Sequence, residues 1–335
     1  MRWSFVGIRT AAVAAVAVTG AGLAIAPASA ASQHVGNGVS YMKPFNASDA
    51  NKAAHGHGGG GGGGTTSNNL YYHGGVNGIG VETAPKVYLV FWGSQWGTRG
   101  SDKSGNDTFT GDPTGEAGII ESFYKAAGNT AWLSSVAQYC QGVPSGSGTS
   151  TCTVAANKAS DGVTFGSSWY DDSAPAPSRA GQSQLASEAL KAISHFPGIN
   201  LATEQIVVAT PHGFDPSGFG TQYCAWHSSA STGSAYLAYT NLPYMTDGGT
   251  SCGANFNQLG PNAGITIVGG HEMAETITDQ IPNGGWLDTN GAENGDKCAW
   301  ITTNNPGASA SVSLNGQLFP VQSLWSNAIS GCAGT

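Results

Sequence analysis

Apolar positions in this chain fall into short runs and helical stripes, set between stretches rich in Gly, Ser and Thr. Val87-Tyr88-Leu89-Val90-Phe91-Trp92 is a continuous run of β-branched and aromatic residues closed by Gly93. Such a run predicts a buried central strand. From Glu116 to Gln138 the spacing turns helical, with Ile119, Ile120, Phe123, Tyr124 and Ala127, then Trp132, Leu133 and Val136; Gly128 splits it in two. Gln184 to His195 predicts a second helix with Leu185, Ala189, Ile193 and Phe196 on one face, ended by Pro197-Gly198. Ile206-Val207-Val208-Ala209 predicts another buried strand, leading into Thr210-Pro211-His212-Gly213, and Ala235 to Leu242 alternates in part as a strand does. Helices thus alternate with isolated strands, which predicts a single α/β (or α+β) domain over residues 81–335 built on a mixed sheet.

The beginning of the chain reads differently. Arg2 and Arg9 precede an uncharged apolar run from Ala11 to Ile25, and Ala28-Ser29-Ala30 has the small-x-small pattern of a cleavage site. Residues 1–30 therefore read as a secretory signal peptide, cut after Ala30. No later stretch has the ~18 apolar residues of a membrane span, so no membrane partner is expected after cleavage. Residues 31–80 read as a flexible Gly-rich linker or a pro-region: Gly58 to Gly64 is unbroken glycine, whose backbone entropy opposes order. His55 and His57 sit just before that run and read as polar linker residues.

Export changes the meaning of the cysteines. Cys140, Cys152, Cys224, Cys252, Cys298 and Cys332 form an even set, expected as three disulfides. Six cysteines allow fifteen pairings; pairing of neighbours in sequence is the simplest. No Cys-x-x-Cys occurs, which argues against a thiolate zinc site or a redox dithiol. Composition narrows the field further. Charged residues are 10% of the chain, against roughly 25% in ordinary soluble domains. The formal net charge of -8 leaves no basic excess for a nucleic-acid partner. Hydrophobic residues still make up 40%, enough to exclude wholesale disorder. A monomer is expected.

In so weakly charged a chain, one segment stands out. The mostly apolar segment Ile265 to Asp279 places His271, Glu272 and Glu275 within five residues, with Ile267, Ala274 and Ile277 suited to one packed helix face. His271 and Glu275 are four apart and share a side of that helix; Glu272 projects about 100° round from His271. Burying three such groups unpaired would cost several kcal/mol, which a divalent cation would offset.

His271-Glu272-Met273-Ala274-Glu275 resembles the active-site helix of the zinc metallopeptidases that carry His-Glu-x-x-His, with Glu275 in place of the second His. The continuation Thr276-Ile277-Thr278-Asp279 and the downstream Asn290-Gly291-Ala292-Glu293-Asn294 are similar to the gluzincin branch. The resemblance implies a zincin-like active-site helix, zinc on His271 and Glu275, and Glu272 as general base for water at the metal. The branch's third ligand, a Glu, falls on Gly295, so Glu293 is taken as third ligand and Asp296 as its substitute. A broader and vaguer likeness covers residues 85–335. The early Val-Tyr-Leu strand, Val207-Val208-Ala209-Thr210, Cys224-Ala225-Trp226-His227 and Thr278-Asp279 follow the order of landmarks in the EXORDIUM-like (phosphate-induced) secreted family, which is linked to the cell wall.

Two functions follow as expectations. The first is a secreted zinc metallo-endopeptidase acting on a peptide or protein substrate, with Glu272 and His227 as catalytic groups and His271, Glu275, Glu293 and Asp296 around one zinc. The alternative is a non-catalytic secreted cell-wall or carbohydrate-associated protein of EXORDIUM-like type. Asp279, Asp288, Glu293 and Asp296 also suit a calcium site. His227 and His212 read equally as satisfied or surface histidines, and Asp171-Asp172 as a solvated turn.

Overall fold

A computed structural model describes Met1 and residues 38–46, 69–149 and 151–335. The proposed signal peptide, His55, His57 and the polyglycine run lie outside the described residues. The chain divides into Met1–His34 and Val35–Thr335; all that follows concerns the second unit.

Seven-residue β3 (Lys86–Trp92) is the strand that the apolar run predicts. Its side chains alternate between two hydrophobic layers: Val87, Leu89 and Phe91 enter one, Tyr88, Val90 and Trp92 the other. Burial on both faces is why the run is continuous rather than alternating. β3 pairs in parallel with β6 (Thr164–Asp171) and with β7 (Glu204–Ala209), and β7 in turn with β9 (Tyr236–Leu242). Beyond β9 the direction reverses. β8 (Ala225–Ser231) runs antiparallel to β9, and β1 (Val39–Met42) antiparallel to β8. The order β1-β8-β9-β7-β3-β6 makes a six-stranded mixed sheet, as expected.

Helix α1 (Glu116–Ala126) packs on one face with α3 (Ala263–Thr278), and α2 (Gln182–Ala192) covers the other through Leu185, Ala189 and Ala192. Gly128 does end the first helix; a 3₁₀ segment at Leu133–Gln138 carries Leu133 and Val136 into the core. Short strand pairs lie outside that sheet: β4 (Arg99–Ser101) with β5 (Asp107–Phe109), β10 (Trp286–Leu287) with β2 (Tyr71–Tyr72), β11 (Ala310–Leu314) with β12 (Gln317–Val321), and β13 (Leu324–Ser326) with β14 (Gly331–Ala333). Cys140–Cys152, Cys224–Cys252 and Cys298–Cys332 are bonded, the neighbour pairing.

Three expectations need correction. Order does not begin at residue 81: β1 and β2 fall within residues 31–80, read as linker or pro-region, and Met42 and Leu70 are wholly buried. The polyglycine signal dominated that stretch and hid two short apolar pieces. The helix carrying His271 does not bury one face only; all sixteen residues of α3 are buried. A helix without a solvent face shows no amphipathic stripe. Asp171 is not in a solvated turn: it is buried at the end of β6, where it pairs with Lys191 of α2.

Candidate metal centre

α3 is threaded between the sheet, α1 and the β11–β12 hairpin, and glycines let it approach. A Cβ at Gly269 would lie 2.6 Å from Ile120 Cδ1, and one at Gly270 2.9 Å from Phe123 Cζ. This close packing fixes the next residue, His271, deep in the molecule. Its Nε2 lies 3.0 Å from Glu275 Oε1, one helical turn on. From the sheet side, β8 contributes His227, whose Nε2 is 3.0 Å from Glu293 Oε2 and 3.7 Å from Glu275 Oε2. The loop after β10 supplies Glu293 and Asp296, with Asp296 Oδ1 3.9 Å from His271 Nε2. His227, His271, Glu272, Glu275 and Glu293 are 0% exposed; the side chain of Asp296 is 25% exposed.

Hydrogen bonds between side chain and backbone hold the loop to the helix. The Asp296 amide donates to Glu275 Oε1 at 2.8 Å, and Asn294 Nδ2 donates to the Ala274 carbonyl at 3.1 Å. Gly295 lies flat against the site: a Cβ there would sit 2.7 Å from His271 Nδ1 and 2.9 Å from Glu275 Oε1. The position at which the gluzincin pattern has its Glu therefore has no room for a side chain.

Gln322, just past β12, sets the state of His271. Its Nε2 donates to the carbonyls of Gly295 and Ser323, so its Oε1 is turned to accept from His271 Nδ1 at 3.2 Å. With the proton on Nδ1, the bare Nε2 faces carboxylate oxygens. Burial pulls His271 down to about 4, so the ring is neutral at ordinary pH. Nε2 then has no hydrogen-bond partner, and neither do Glu272 Oε1 and Oε2, Glu275 Oε2 or Glu293 Oε1. Electron pairs converge here without hydrogens between them, which is costly in a buried site unless a proton or a cation intervenes.

The electrostatics follow from the same burial. Glu272 and Glu275 are held well above the ordinary carboxylate range, first by desolvation and then by neighbouring carboxylates. Asp296 is pushed up to about 7 by burial and by the charge of Glu293. Glu293 goes the other way: burial opposes its charge, but His227 outweighs burial and holds it below the usual range. His227 is correspondingly raised; burial opposes its charge and Glu293 sustains it.

Five of the sequence candidates thus share one polar cluster around Glu275: His227, His271, Glu272, Glu293 and Asp296. Their pairing differs from the expectation, because Asp296 faces His271 and Glu293 faces His227. Asp279 and Asp288 have other work. Asp279 accepts from the amides of Asn283, Gly284 and Gly285, and Asp288 from those of Asn290 and Ala292 while pairing with Lys297. His212, largely exposed, pairs with Asp247 at 2.6 Å. Three contributors escaped the sequence: Gln322, Ser40 beside Glu293, and the Met42 backbone beside Glu272. None stands in a motif, and only β1 pairing brings the last two to the site.

The donors His271, Glu275 and Asp296 are spaced so that they could hold a metal ion. Ligands bonded at ~2.0–2.1 Å in a tetrahedron stand about 3.3 Å apart, and His271 Nε2, Glu275 Oε1 and Asp296 Oδ1 show separations of 3.0 and 3.9 Å from the imidazole nitrogen. Compared with protein-family models, curated proteins and solved structures, the chain has no match in any of the three.

Proposed function

We propose that the protein is a secreted zinc-dependent hydrolase of the metallo-endopeptidase kind. The observation that carries this reading is the buried Nε2 of His271, without a hydrogen-bond partner, set 3.0 Å from Glu275 Oε1 and 3.9 Å from Asp296 Oδ1. Those three residues would hold the ion. Imidazole among the donors favours zinc over calcium. When bound, zinc supplies a Lewis acid that polarises a carbonyl and acidifies water. Glu272, adjacent in sequence, would be ionised once the cation's charge offset its burial, and would then accept the proton of the attacking water and return it to the leaving amine. His227, kept charged by Glu293, is the donor available to a developing oxyanion. Asp296, alone in being partly exposed, marks the side from which substrate enters. Three disulfides, and the absence of a membrane-length apolar helix among the described residues, are compatible with export.

Hydrolysis of casein and of a peptide library by the purified protein tests the proposal. Activity is expected to vanish with chelator, return with zinc, and fall about 10²–10⁴-fold in Glu272→Gln. Unchanged turnover in that variant, or after chelation, overturns it. A second reading is favoured by the complete burial of both imidazoles: a non-catalytic secreted cell-wall or carbohydrate-associated protein of EXORDIUM-like type, in which His271 and Glu275 hydrogen-bond internally. It predicts no hydrolysis, no change in melting with zinc or chelator, and retention on polysaccharide.

A further inference from the structure

We propose that the cluster is built for two divalent cations bridged by the Glu275 carboxylate, the second held between His227, Glu272 and Glu275. The inference rests on zinc occupying the His271 position and adds a second position that the zincin likeness does not supply.

Glu275 points its two oxygens at two different imidazoles. Oε1 is 3.0 Å from His271 Nε2, and Oε2 is 3.7 Å from His227 Nε2. A ligand for one ion needs only the first of these contacts. The second oxygen is wholly buried and has no hydrogen-bond partner. One ligand atom from each of His227, Glu272 and Glu275 lies within 4.8 Å of the other two, the same mutual reach as in the set His271, Glu275 and Asp296. Both Glu272 oxygens are likewise unpartnered. Glu293 Oε2, 3.0 Å from His227 Nε2, stands at the rim of the second position. Two three-residue sets thus share one residue and divide its oxygens, the geometry of a bridging carboxylate.

Charge points the same way. Glu272, Glu275, Glu293 and Asp296 carry four negative charges when ionised. One dication offsets two of them and two dications offset all four. Buried charge left uncompensated is expensive, so the second ion stabilises the ionised cluster further. On binding, His227 Nε2 would give up its proton to solvent and its lone pair would take the metal, so that the second cation would replace the imidazolium opposite a developing oxyanion. Glu272 binds through one oxygen, which leaves the other to accept a proton in the hydrolytic reaction.

Zinc stoichiometry is the test, on full-length protein in which His55 and His57 are replaced by Ser so that they add nothing to the count. The stripped protein, reloaded with excess zinc and desalted, is expected to retain two ions per chain by elemental analysis. His227→Gln and Glu272→Gln are each expected to retain one, with a native near-ultraviolet circular dichroism spectrum. Should either variant misfold, the unmutated site loaded with Mn²⁺ still decides: a carboxylate-bridged pair gives an exchange-coupled electron paramagnetic resonance spectrum, and isolated ions do not. A count of one zinc, with uncoupled Mn²⁺, overturns the second position and leaves the zinc hydrolase intact. A count of zero overturns both.

Discussion

At the scale of single residues, the site depends on Gln322 as much as on its acids. His271 and Glu275 were legible because a histidine and carboxylates at helical spacing are rare in so apolar a run. Gln322 was not, because an amide 51 residues away carries no local signal. Yet it decides which imidazole nitrogen is bare. Groups that fix a ligand's tautomer are worth 10–100-fold in metal affinity. Gln322→Leu, which keeps the bulk and loses the acceptor, should weaken zinc binding by about that factor. Competition against a chromophoric chelator measures it, and an unchanged affinity would show that the ring needs no such lock. Gly295 illustrates the same limit from the other side. The gluzincin resemblance puts a ligand at its position, whereas the ring of His271 and the carboxylate of Glu275 already fill the space its side chain would take.

Among the elements, legibility followed burial pattern. β3, β7 and α2 were readable because strands with two covered faces and a helix with one covered face have distinct signatures. β1 was lost in glycine-rich surroundings, though it forms the edge of the main sheet and brings Ser40 and Met42 to the α3 side of it. Its register places Ser40 opposite His227 and Met42 opposite Ala225. Met42 is 0% exposed and belongs to the same apolar layer as Ile267 and Met273 of α3. Met42→Ala should therefore cost about 2–5 kcal/mol, as other deletions from a closed core do. Denaturant unfolding reads this directly. A residue in a detached linker would leave the midpoint where it was, and that result would remove β1 from the fold.

For the whole molecule, the disulfides were the most readable feature, and one of them bears on chemistry: Cys298–Cys332 ties the C-terminal strand to the turn that presents Asp296. The ionic ties between layers were not readable, and one of them should govern stability against pH. Lys191 of α2 pairs with Asp171 at the end of β6, and Glu188, one turn earlier, stands 4.0 Å from the same ammonium. Two buried carboxylates share one cation, so they separate in acidity. Asp171, despite burial, is drawn down to about 2 by Lys191 and Ser173. Glu188 is driven up to about 8, first by burial and then by Asp171. Unfolded, Glu188 would titrate near 4.5. The folded state then binds the extra proton, so the stability Glu188 contributes is complete below 4.5 and drains away as pH rises through about 8. Asp171 has the opposite sign: its contribution is present above 3.8 and lost as pH falls toward 2. With zinc saturating, to hold the buried cluster in one state, the melting temperature should decline from about pH 5 to about pH 9. Glu188→Gln keeps a donor toward Asp171 but has no proton to lose, and should flatten that decline while leaving the acid limb unchanged. Calorimetry of the two proteins across this range decides it, since equal alkaline slopes would mean that Glu188 is already ionised in the folded protein.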